Sequence, residues 1–316
     1  MIEPAETVTL DGRVPDLRCH EIGPQSVPVA HVRPGDEIRL ITLDASGGQV
    51  AATDRSPADF DKAQIAPLTG PVSVEGVAAG DAIGIEIVDV TPIGEDGYMW
   101  TRSSLGQPRD PEYLQTGARK VPLGDLVVDW LGPESITIPR HAHVGTIGVA
   151  PSVRQTSSAL GSYGGNLDCR HLQPGATLWL TAQIDGGLFF AGDVHASIGD
   201  GELCGTGVEI PAEVTLRVHH RRGWAPQLPL ICDGLRVWVI GFGDSLDEAF
   251  DLAVREILRT VEHATRADRA DVYFAVSALL EAEICQVVNP LRSVAISLRN
   301  GADRLIAEAG PGGAVT

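Results

Sequence analysis

Lysine is nearly absent from this chain of 316 residues. Only Lys62 and Lys120 occur, and 24 Lys and Arg residues stand against 42 Asp and Glu, for a formal net charge of −18. Binding to nucleic acid draws much of its free energy from clustered Lys and Arg, and binding to anionic lipid surfaces depends on the same charges. The composition therefore argues against a nucleic-acid partner and against a membrane partner.

Cysteine is also scarce, and the cysteines do not form a recognisable framework. The chain has five of them, far apart and without a C-x-x-C pair: Cys19, Cys169, Cys204, Cys232 and Cys285. This argues against a disulfide-rich secreted protein and against a thiolate zinc knuckle. The first residues are acidic where a secretory signal would be basic, and no apolar run reaches the ~20 residues of a membrane span. We expect a cytoplasmic protein.

Motifs of several common enzyme mechanisms are missing as well. Neither lysine lies near a cysteine or in a Gly/Ser-rich tract, so a lysine-activated cysteine or serine nucleophile has no support. The G-x-S-x-G turn of serine hydrolases does not occur, nor do the glycine loops that bind nucleotide phosphates. The sequence therefore gives no indication of a serine hydrolase or of a nucleotide-binding protein.

Short β-branched segments between glycine turns dominate the first two thirds of the chain. Segments 32–44, 77–89 and 172–185 each contain a Gly turn followed by alternating apolar residues. Alternation with a period of two is typical of half-buried strands in an antiparallel sheet. We predict a mainly β chain in which residues 1–225 form an antiparallel β-sandwich of jelly-roll type.

The composition changes after about residue 243. Asp244 and Ser245 can cap a helix whose apolar residues recur at helical spacing between 246 and 261. A second helix is predicted over 269–283, with strands before the first helix and after the second. Residues 226–316 are therefore predicted to form a small α/β unit.

Polar residues concentrate between 164 and 209, where they occur two apart. The pairs are Asn166 with Asp168, Asp193 with His195, and Asp200 with Glu202. In an extended backbone, residues two apart project from the same face, so each pair could point into one cavity. Asp and His are ligands that suit zinc or a similar divalent ion. The alternative is that the Asp and Gly residues only form β-turns.

Two further features could converge on this region. Asp44 ends a predicted strand, where its carboxylate could be a third metal ligand, although a turn-capping Asp is the common alternative. His141 and His143 share one strand face and could bind metal or polarise a carbonyl, whereas a surface position at the start of a strand is the alternative.

Several ordered segments together resemble one enzyme family. GGNLD at 164–168, followed by AGDVHASIGDGELCGTGVE at 191–209, resembles the signature of the acetamidase/formamidase family, and further matches are PGDEIRLITLDASGG near the N-terminus, PLTGPVSVEG at 67–76, HVGTIGVAPS at 143–152, and the C-terminal SLDEAF and ICQVVN. The resemblance implies hydrolysis of short linear amides to a carboxylate and ammonia. It also implies a β-sandwich body with a C-terminal α/β portion.

The chain departs from the family pattern at Ala66. The resemblance implies His or Asn at this position, directly before the P-x-T-G-P turn. If that residue contacts substrate, the pocket is altered, and the preferred amide stays open. A cyclic amide is one of the alternatives.

Our leading hypothesis is a metal-assisted amidohydrolase that uses zinc, with calcium as the alternative, to activate a water. The predicted residues are the metal ligands Asp44, Asp193 and His195, the catalytic residues Glu202 and Asp200, with Glu202 as general base, and the substrate-binding residues Asn166, Asp168 and His143. One alternative uses Cys204 as a nucleophile activated by Glu202. Another is a non-catalytic amide-binding sensor. Acidic enzymes of this size are often homo-oligomers, which is our expectation here.

Overall fold

The computed structural model describes residues 8–52, 56–234 and 236–308. Within these ranges the chain forms 23 strands: β1 (Val8–Asp11), β2 (Arg18–Cys19), β3 (Glu21–Ile22), β4 (Ala30–Val32), β5 (Glu37–Thr42), β6 (Leu68–Val74), β7 (Ala82–Pro92), β8 (Asp96–Thr101), β9 (Gly117–Pro122), β10 (Val127–Leu131), β11 (Glu134–Thr137), β12 (His143–Gly148), β13 (Gln155–Thr156), β14 (Leu160–Gly161), β15 (Gly164–Asn166), β16 (Thr177–Thr181), β17 (Phe189–His195), β18 (Glu209–Ile210), β19 (Ala212–Arg221), β20 (Leu230–Cys232), β21 (Val237–Gly243), β22 (Leu280–Gln286) and β23 (Arg292–Leu298). The α-helices are α1 (Gln49–Ala52), α2 (Leu246–Thr265), α3 (Arg269–Leu279) and α4 (Arg304–Glu308), and short 3₁₀ helices span Pro15–Leu17, Pro57–Asp59 and Lys62–Gln64.

Most of these strands belong to two large sheets. One sheet has nine described strands in the order β1-β5-β19-β7-β16-β20-β21-β23-β22. The other has ten: a path β14-β15-β12-β17-β18-β8-β9, with β6 pairing β17 and with β2 and β4 pairing β6. The pairs β1–β5 and β4–β6 are parallel, whereas the remaining described pairs are antiparallel. The prediction of a mainly β chain with antiparallel sheets is confirmed.

One buried apolar cluster takes side chains from both large sheets. It contains Ile85 of β7 and Leu216 of β19 from the nine-stranded sheet, and Val144 of β12 and Phe189 of β17 from the ten-stranded sheet. All four are fully buried. In β19, buried and half-buried residues alternate over most of the strand, as expected for a strand with one face on a core. The two sheets therefore share a core.

The C-terminal strands continue the nine-stranded sheet. β20 pairs with β16, and β21, β23 and β22 follow in that order. A second buried cluster joins Trp179 of β16 to Ile257 of α2. The domain boundary placed at residue 225 stays a prediction.

The first C-terminal helix begins as the sequence predicts. Ser245 is the N-cap of α2, and its Oγ accepts a hydrogen bond from the Glu248 amide. The second helix is shorter than predicted, because α3 ends at Leu279 and residues 280–283 pair with β23 as the start of β22. None of the described helices is long and apolar enough to cross a membrane.

Candidate functional site

The candidate site lies where β12, β17 and β18 run side by side in the ten-stranded sheet. His195, the last residue of β17, is opposite His143 on β12 and opposite Glu209 on β18. Directly opposed residues of antiparallel strands project from the same face. The strand register therefore brings these three side chains together, and all three are buried.

A chain of hydrogen bonds fixes the orientation of the two imidazoles. His143 Nδ1 lies 2.7 Å from the His141 carbonyl oxygen. Because a carbonyl only accepts, Nδ1 of His143 carries the hydrogen and Nε2 carries the lone pair. His195 Nδ1 lies 3.1 Å from that Nε2 and donates to it. Burial, reinforced by the neighbouring His195, lowers the pKa of His143 to about 3, which keeps His143 neutral. His195 thus directs Nε2 away from His143.

Four buried carboxylates surround His195 Nε2: Asp168, Asp193, Glu202 and Glu209. Nε2 lies 3.4 Å from Asp193 Oδ1 and 3.1 Å from Glu209 Oε1. The side chains form two groups whose ligand atoms lie within 4.8 Å of one another, Asp168–Asp193–His195 and His195–Glu202–Glu209. Both groups contain His195, so they form one continuous centre.

The electrostatics of this centre are dominated by burial and by repulsion between the carboxylates. Burial, with the neighbouring Asp168 charge, raises the pKa of Glu202 well above its usual value. Burial and the charge of Asp193 likewise raise the pKa values of Asp168 and Glu209. Burial alone would lower the pKa of His195, but the charges of Glu209 and Asp193 raise it instead. Such a centre needs protons or a cation for neutrality.

Three buried atoms at this centre lack a hydrogen-bond partner among the described residues: Asp168 Oδ1, His195 Nε2 and Glu209 Oε2. Most buried polar atoms in proteins have a partner, so each exception points to something that the protein part alone does not supply. Carboxylate oxygen and imidazole nitrogen are donors that zinc and similar divalent ions accept. The residues present therefore fit a divalent cation.

The backbone is strained at three of these acidic residues. Asp168, Asp193 and Glu202 have φ values of 48°, 55° and 50°. Residues other than glycine seldom adopt this left-handed conformation, and where they do, the strain often marks a functional position. The strain therefore supports a functional role for these carboxylates.

Further side chains hold the carboxylates in place. Asn289 Nδ2 donates to Asp168 Oδ2 at 3.1 Å. The Thr146 hydroxyl lies 3.1 Å from Asp193 Oδ2 and is also within hydrogen-bonding distance of Asn166 Oδ1. Thr146 and Asn289 were not predicted from the sequence as site residues, although HVGTIGVAPS and ICQVVN, which contain them, belong to the family resemblance.

The structure brings six of the eight predicted site residues together. These are Asp193, His195, Glu202, Asp168, Asn166 and His143, of which Asn166 reaches the centre through Thr146. Glu209 is an additional member that the set of predicted residues did not include. It had no acidic or basic partner two residues away, which was the signal that selected the others.

Asp44 lies outside both groups of close ligand atoms. Its carboxylate accepts hydrogen bonds from the Ser46 amide at 2.8 Å and from the Ser46 hydroxyl, which is the turn-capping arrangement considered as the alternative. Cys204 also lies outside the groups, and its thiol donates to the Thr206 carbonyl at 3.3 Å.

Asp200 does not share a cavity with Glu202 at the centre. Its side chain is 53% exposed and pairs with Arg170 Nη1 at 2.8 Å, whereas Glu202 is buried. The backbone turns here, with φ of 86° at Gly201 and 50° at Glu202. Residues two apart share a face only in an extended chain, so the expected pairing does not form.

The fold and the site together define a β-rich protein with a buried carboxylate–imidazole centre. The sequence profile described as the Acetamidase/Formamidase family matches residues 17–160 and 153–231. The chain belongs to this family, which confirms the resemblance found in the sequence.

Individual relatives agree with this assignment. A formamidase of Methylophilus methylotrophus is 26% identical over 249 residues, which are 60% of this chain and 60% of that protein. The chain thus matches about 60% of the formamidase's length. A predicted acetamidase/formamidase of Thermoanaerobacter tengcongensis has a similar crystal structure, with a TM-score of 0.86, 27% identity, and coverage of 93% of this chain and 96% of that one. For an acetamidase of Bacillus halodurans the TM-score is 0.85, the identity 29%, and the coverage 92% and 97%.

Proposed function

We propose that this protein hydrolyses short linear amides similar to formamide and acetamide, releasing a carboxylate and ammonia. Membership of the family supports the reaction class. The observation that carries the proposal is the group of four buried carboxylates around His195 Nε2. Hydrolysis of an amide needs a base for water and an acid for the leaving nitrogen, and a carboxyl group with a raised pKa can serve as both.

The cation of this proposal is zinc, with calcium as the alternative. Asp168, Asp193, His195 and Glu209 would hold it, because three of them present the buried atoms without partners and the fourth lies beside His195 Nε2. When bound, such a cation polarises an amide carbonyl and lowers the pKa of water.

Glu202 is the proposed general base. It is buried, and its pKa is raised mainly by burial and then by Asp168, so this carboxyl group holds a proton more readily than an exposed Glu does. In this role a Glu202 oxygen takes a proton from water and delivers it to the amide nitrogen. His143 holds His195 in one orientation through the Nδ1 hydrogen bond. Asn166 would orient the amide NH₂, whereas Asp168, which the sequence predicted for the same role, is assigned to the cation.

The test is an amide screen combined with elemental analysis of the same preparation. We expect ammonia release from formamide, acetamide or propionamide, and bound zinc or calcium in the purified protein. A γ-lactam in the panel tests the cyclic alternative, and alkylation of Cys204 tests thiol chemistry. If metal-replete protein neither released ammonia from the linear amides nor opened the γ-lactam ring, which yields an amino acid without free ammonia, the proposal would be contradicted and an amide-binding sensor favoured. Ring opening alone would favour the cyclic alternative.

The proposal also covers architecture and setting. We propose that the two large sheets pack face to face as a sandwich, which the shared apolar cluster supports. A cytoplasmic location agrees with free thiols at all five cysteines. Light scattering coupled to size-exclusion chromatography would test the expected homo-oligomer.

A further inference from the structure

A small cavity leads towards Asp168 of the candidate centre. It measures about 10 Å³, which leaves room for roughly one water molecule. Asp168 is a buried lining residue that also belongs to the centre. Arg170 and Asp200 line the cavity with partly exposed side chains. The cavity therefore lies between Asp168 and the partly exposed Arg170–Asp200 pair, and it is too small to hold an amide or a carboxylate.

Arg170 is a partly exposed lining residue at the outer end of this cavity. Its Nη1 lies 2.8 Å from Asp200 Oδ1, and its Nη2 lies 2.8 Å from Glu283 Oε2. Asp200 belongs to the turn that carries Glu202, and Glu283 belongs to β22. The guanidinium thus spans two segments of the chain across the mouth of the cavity.

The two ion pairs of Arg170 differ in how easily they open. Asp200 is 53% exposed, and exposed ion pairs contribute little to stability and are weakened by salt. Glu283 is only 20% exposed and also pairs with His171 Nε2 at 2.8 Å. The pair between Arg170 and Asp200 is therefore the one that can be exchanged while Glu283 keeps Arg170 at the mouth.

The proposed reaction changes the charge of what the centre holds. Its amide substrate is neutral, whereas its carboxylate product carries a negative charge, so only the product forms an ion pair with a cationic side chain outside the centre. A guanidinium binds a carboxylate with two parallel hydrogen bonds. Arg170 places its guanidinium at the cavity that Asp168 also lines.

We propose that Arg170 is a product-release residue that exchanges Asp200 for the carboxylate product at the mouth of this cavity. The proposal rests on the proposed amide hydrolysis. Asp200 then acts as an internal competitor for the guanidinium, and its displacement opens the route from the centre.

The experiment measures binding of sodium acetate and sodium formate by calorimetry, and product inhibition by the same salts in the amide assay. In Arg170→Gln we expect acetate to bind at least about tenfold more weakly, because the charged fork is lost. The inhibition constant should rise by the same factor, with the KM of the neutral amide changed by less than about twofold. Asp200→Asn should have the opposite effect, tighter acetate binding, because it removes the competitor.

Arg236→Gln is the matched control. Arg236 is 31% exposed, pairs with Glu281 at 2.9 Å, and lies near the same β22 strand, but it does not line the cavity. Acetate binding should be the same as in the wild type. Arg170→Lys, which keeps the charge and loses the fork, should bind acetate with intermediate affinity.

Equal acetate affinity in wild type and Arg170→Gln would overturn the proposal, as would weaker binding in Asp200→Asn. A purely structural Arg170 would lower the melting temperature and leave the inhibition constant unchanged. The calorimetric measurement needs no turnover, so the two proposals can fail separately. If the protein releases ammonia but its acetate affinity does not depend on Arg170, only the product-release role is rejected. Arg170-dependent acetate binding without ammonia release rejects the amide reaction and retains the anion exchange.

Discussion

Eight described residues other than glycine adopt the left-handed backbone conformation that their side chains disfavour, and three of them are at the centre. Asp168, Asp193 and Glu202 are all left-handed, and so is Ala66, away from the two groups of ligand atoms. A left-handed residue with a Cβ atom destabilises the fold relative to glycine. The acidic residues therefore reduce stability through both backbone strain and buried charge, which is expected where function rather than stability selects the residue.

The Glu202→Gln variant separates the contribution of Glu202 to catalysis from its effect on the stability of the fold. We expect kcat to fall by roughly 10²-fold or more, because the positioned base is lost, and the metal-free protein to become more stable, because one buried carboxylate is removed. The measurements are kcat, bound metal and thermal unfolding. Glu213→Gln, on the exposed side of β19, should leave all three unchanged. Near-normal turnover at full metal occupancy would make Glu202 structural.

Ala66 gives a prediction about stability. At a φ of 51°, Ala66→Gly should raise the free energy of unfolding by roughly 0.5–1 kcal/mol. Ala63→Gly, in the neighbouring 3₁₀ helix Lys62–Gln64, should lower it, since glycine gains nothing there. Denaturant titration measures both. A loss of stability in Ala66→Gly would show that the methyl group packs favourably. Asn and His, which the sequence resemblance implies at this position, tolerate this conformation better than most residues.

At the level of elements, strand register and close-packed glycines shape the centre. His143, His195 and Glu209 meet because β12, β17 and β18 pair in one register. Two glycines leave room for the imidazole of His195. A Cβ atom at Gly145 would lie 2.8 Å from its Cε1, and one at Gly207 would lie 2.7 Å from its Cγ. The ring is therefore confined between two backbone segments.

Gly207→Ala should displace this ring. Contacts below 3.0 Å cannot persist, so we expect the variant to lose most of its metal and its activity. Gly199→Ala is the control, because nothing lies within 4 Å of a Cβ atom there. Metal content after dialysis and circular dichroism distinguish a displaced ring from an unfolded chain. Full metal occupancy in Gly207→Ala would show that His195 is not a ligand.

The sequence predicts those parts of the site that depend on local geometry. Period-two alternation predicted the strands, and the spacing of Asp193 and His195 correctly placed them together on β17. The same rule failed for Asp200 and Glu202, where the chain turns. Glu209 and Asn289 could not be found by local spacing, because β18 and the 286–289 turn reach the centre through tertiary packing. Such contacts depend on sheet order, which no short sequence window contains.

Across the whole molecule, an acidic chain gathers four carboxylates in its interior. The net charge of −18 causes unfavourable repulsion within the folded chain. The four buried carboxylates bring part of this acidic charge close together in the interior. A cation that binds only the folded chain therefore also stabilises the fold. Stability and metal content should be linked.

Chelation should lower the melting temperature reversibly. A ligand at about 100 times its dissociation constant stabilises by about 2.7 kcal/mol, which corresponds to roughly 4 °C for a protein of this size. Calorimetry before and after treatment with a chelator, and again after zinc or calcium is restored, measures the shift. His195→Ala should show no shift. An unchanged melting temperature in metal-loaded wild type would exclude a cation at this centre.

The order of the strands also has a consequence for synthesis on the ribosome. The centre needs His143 from β12 and Asn289 from beyond β22, which are 146 residues apart (289 − 143). At ~5–20 residues per second, roughly 7–30 s pass between their translation. Until Asn289 has been synthesised, Asp168 lacks the hydrogen bond that it accepts from Asn289 Nδ2 in the folded chain. The complete centre therefore cannot form before the last strands have been synthesised. Completion of the polypeptide, rather than its early collapse, determines when the site assembles.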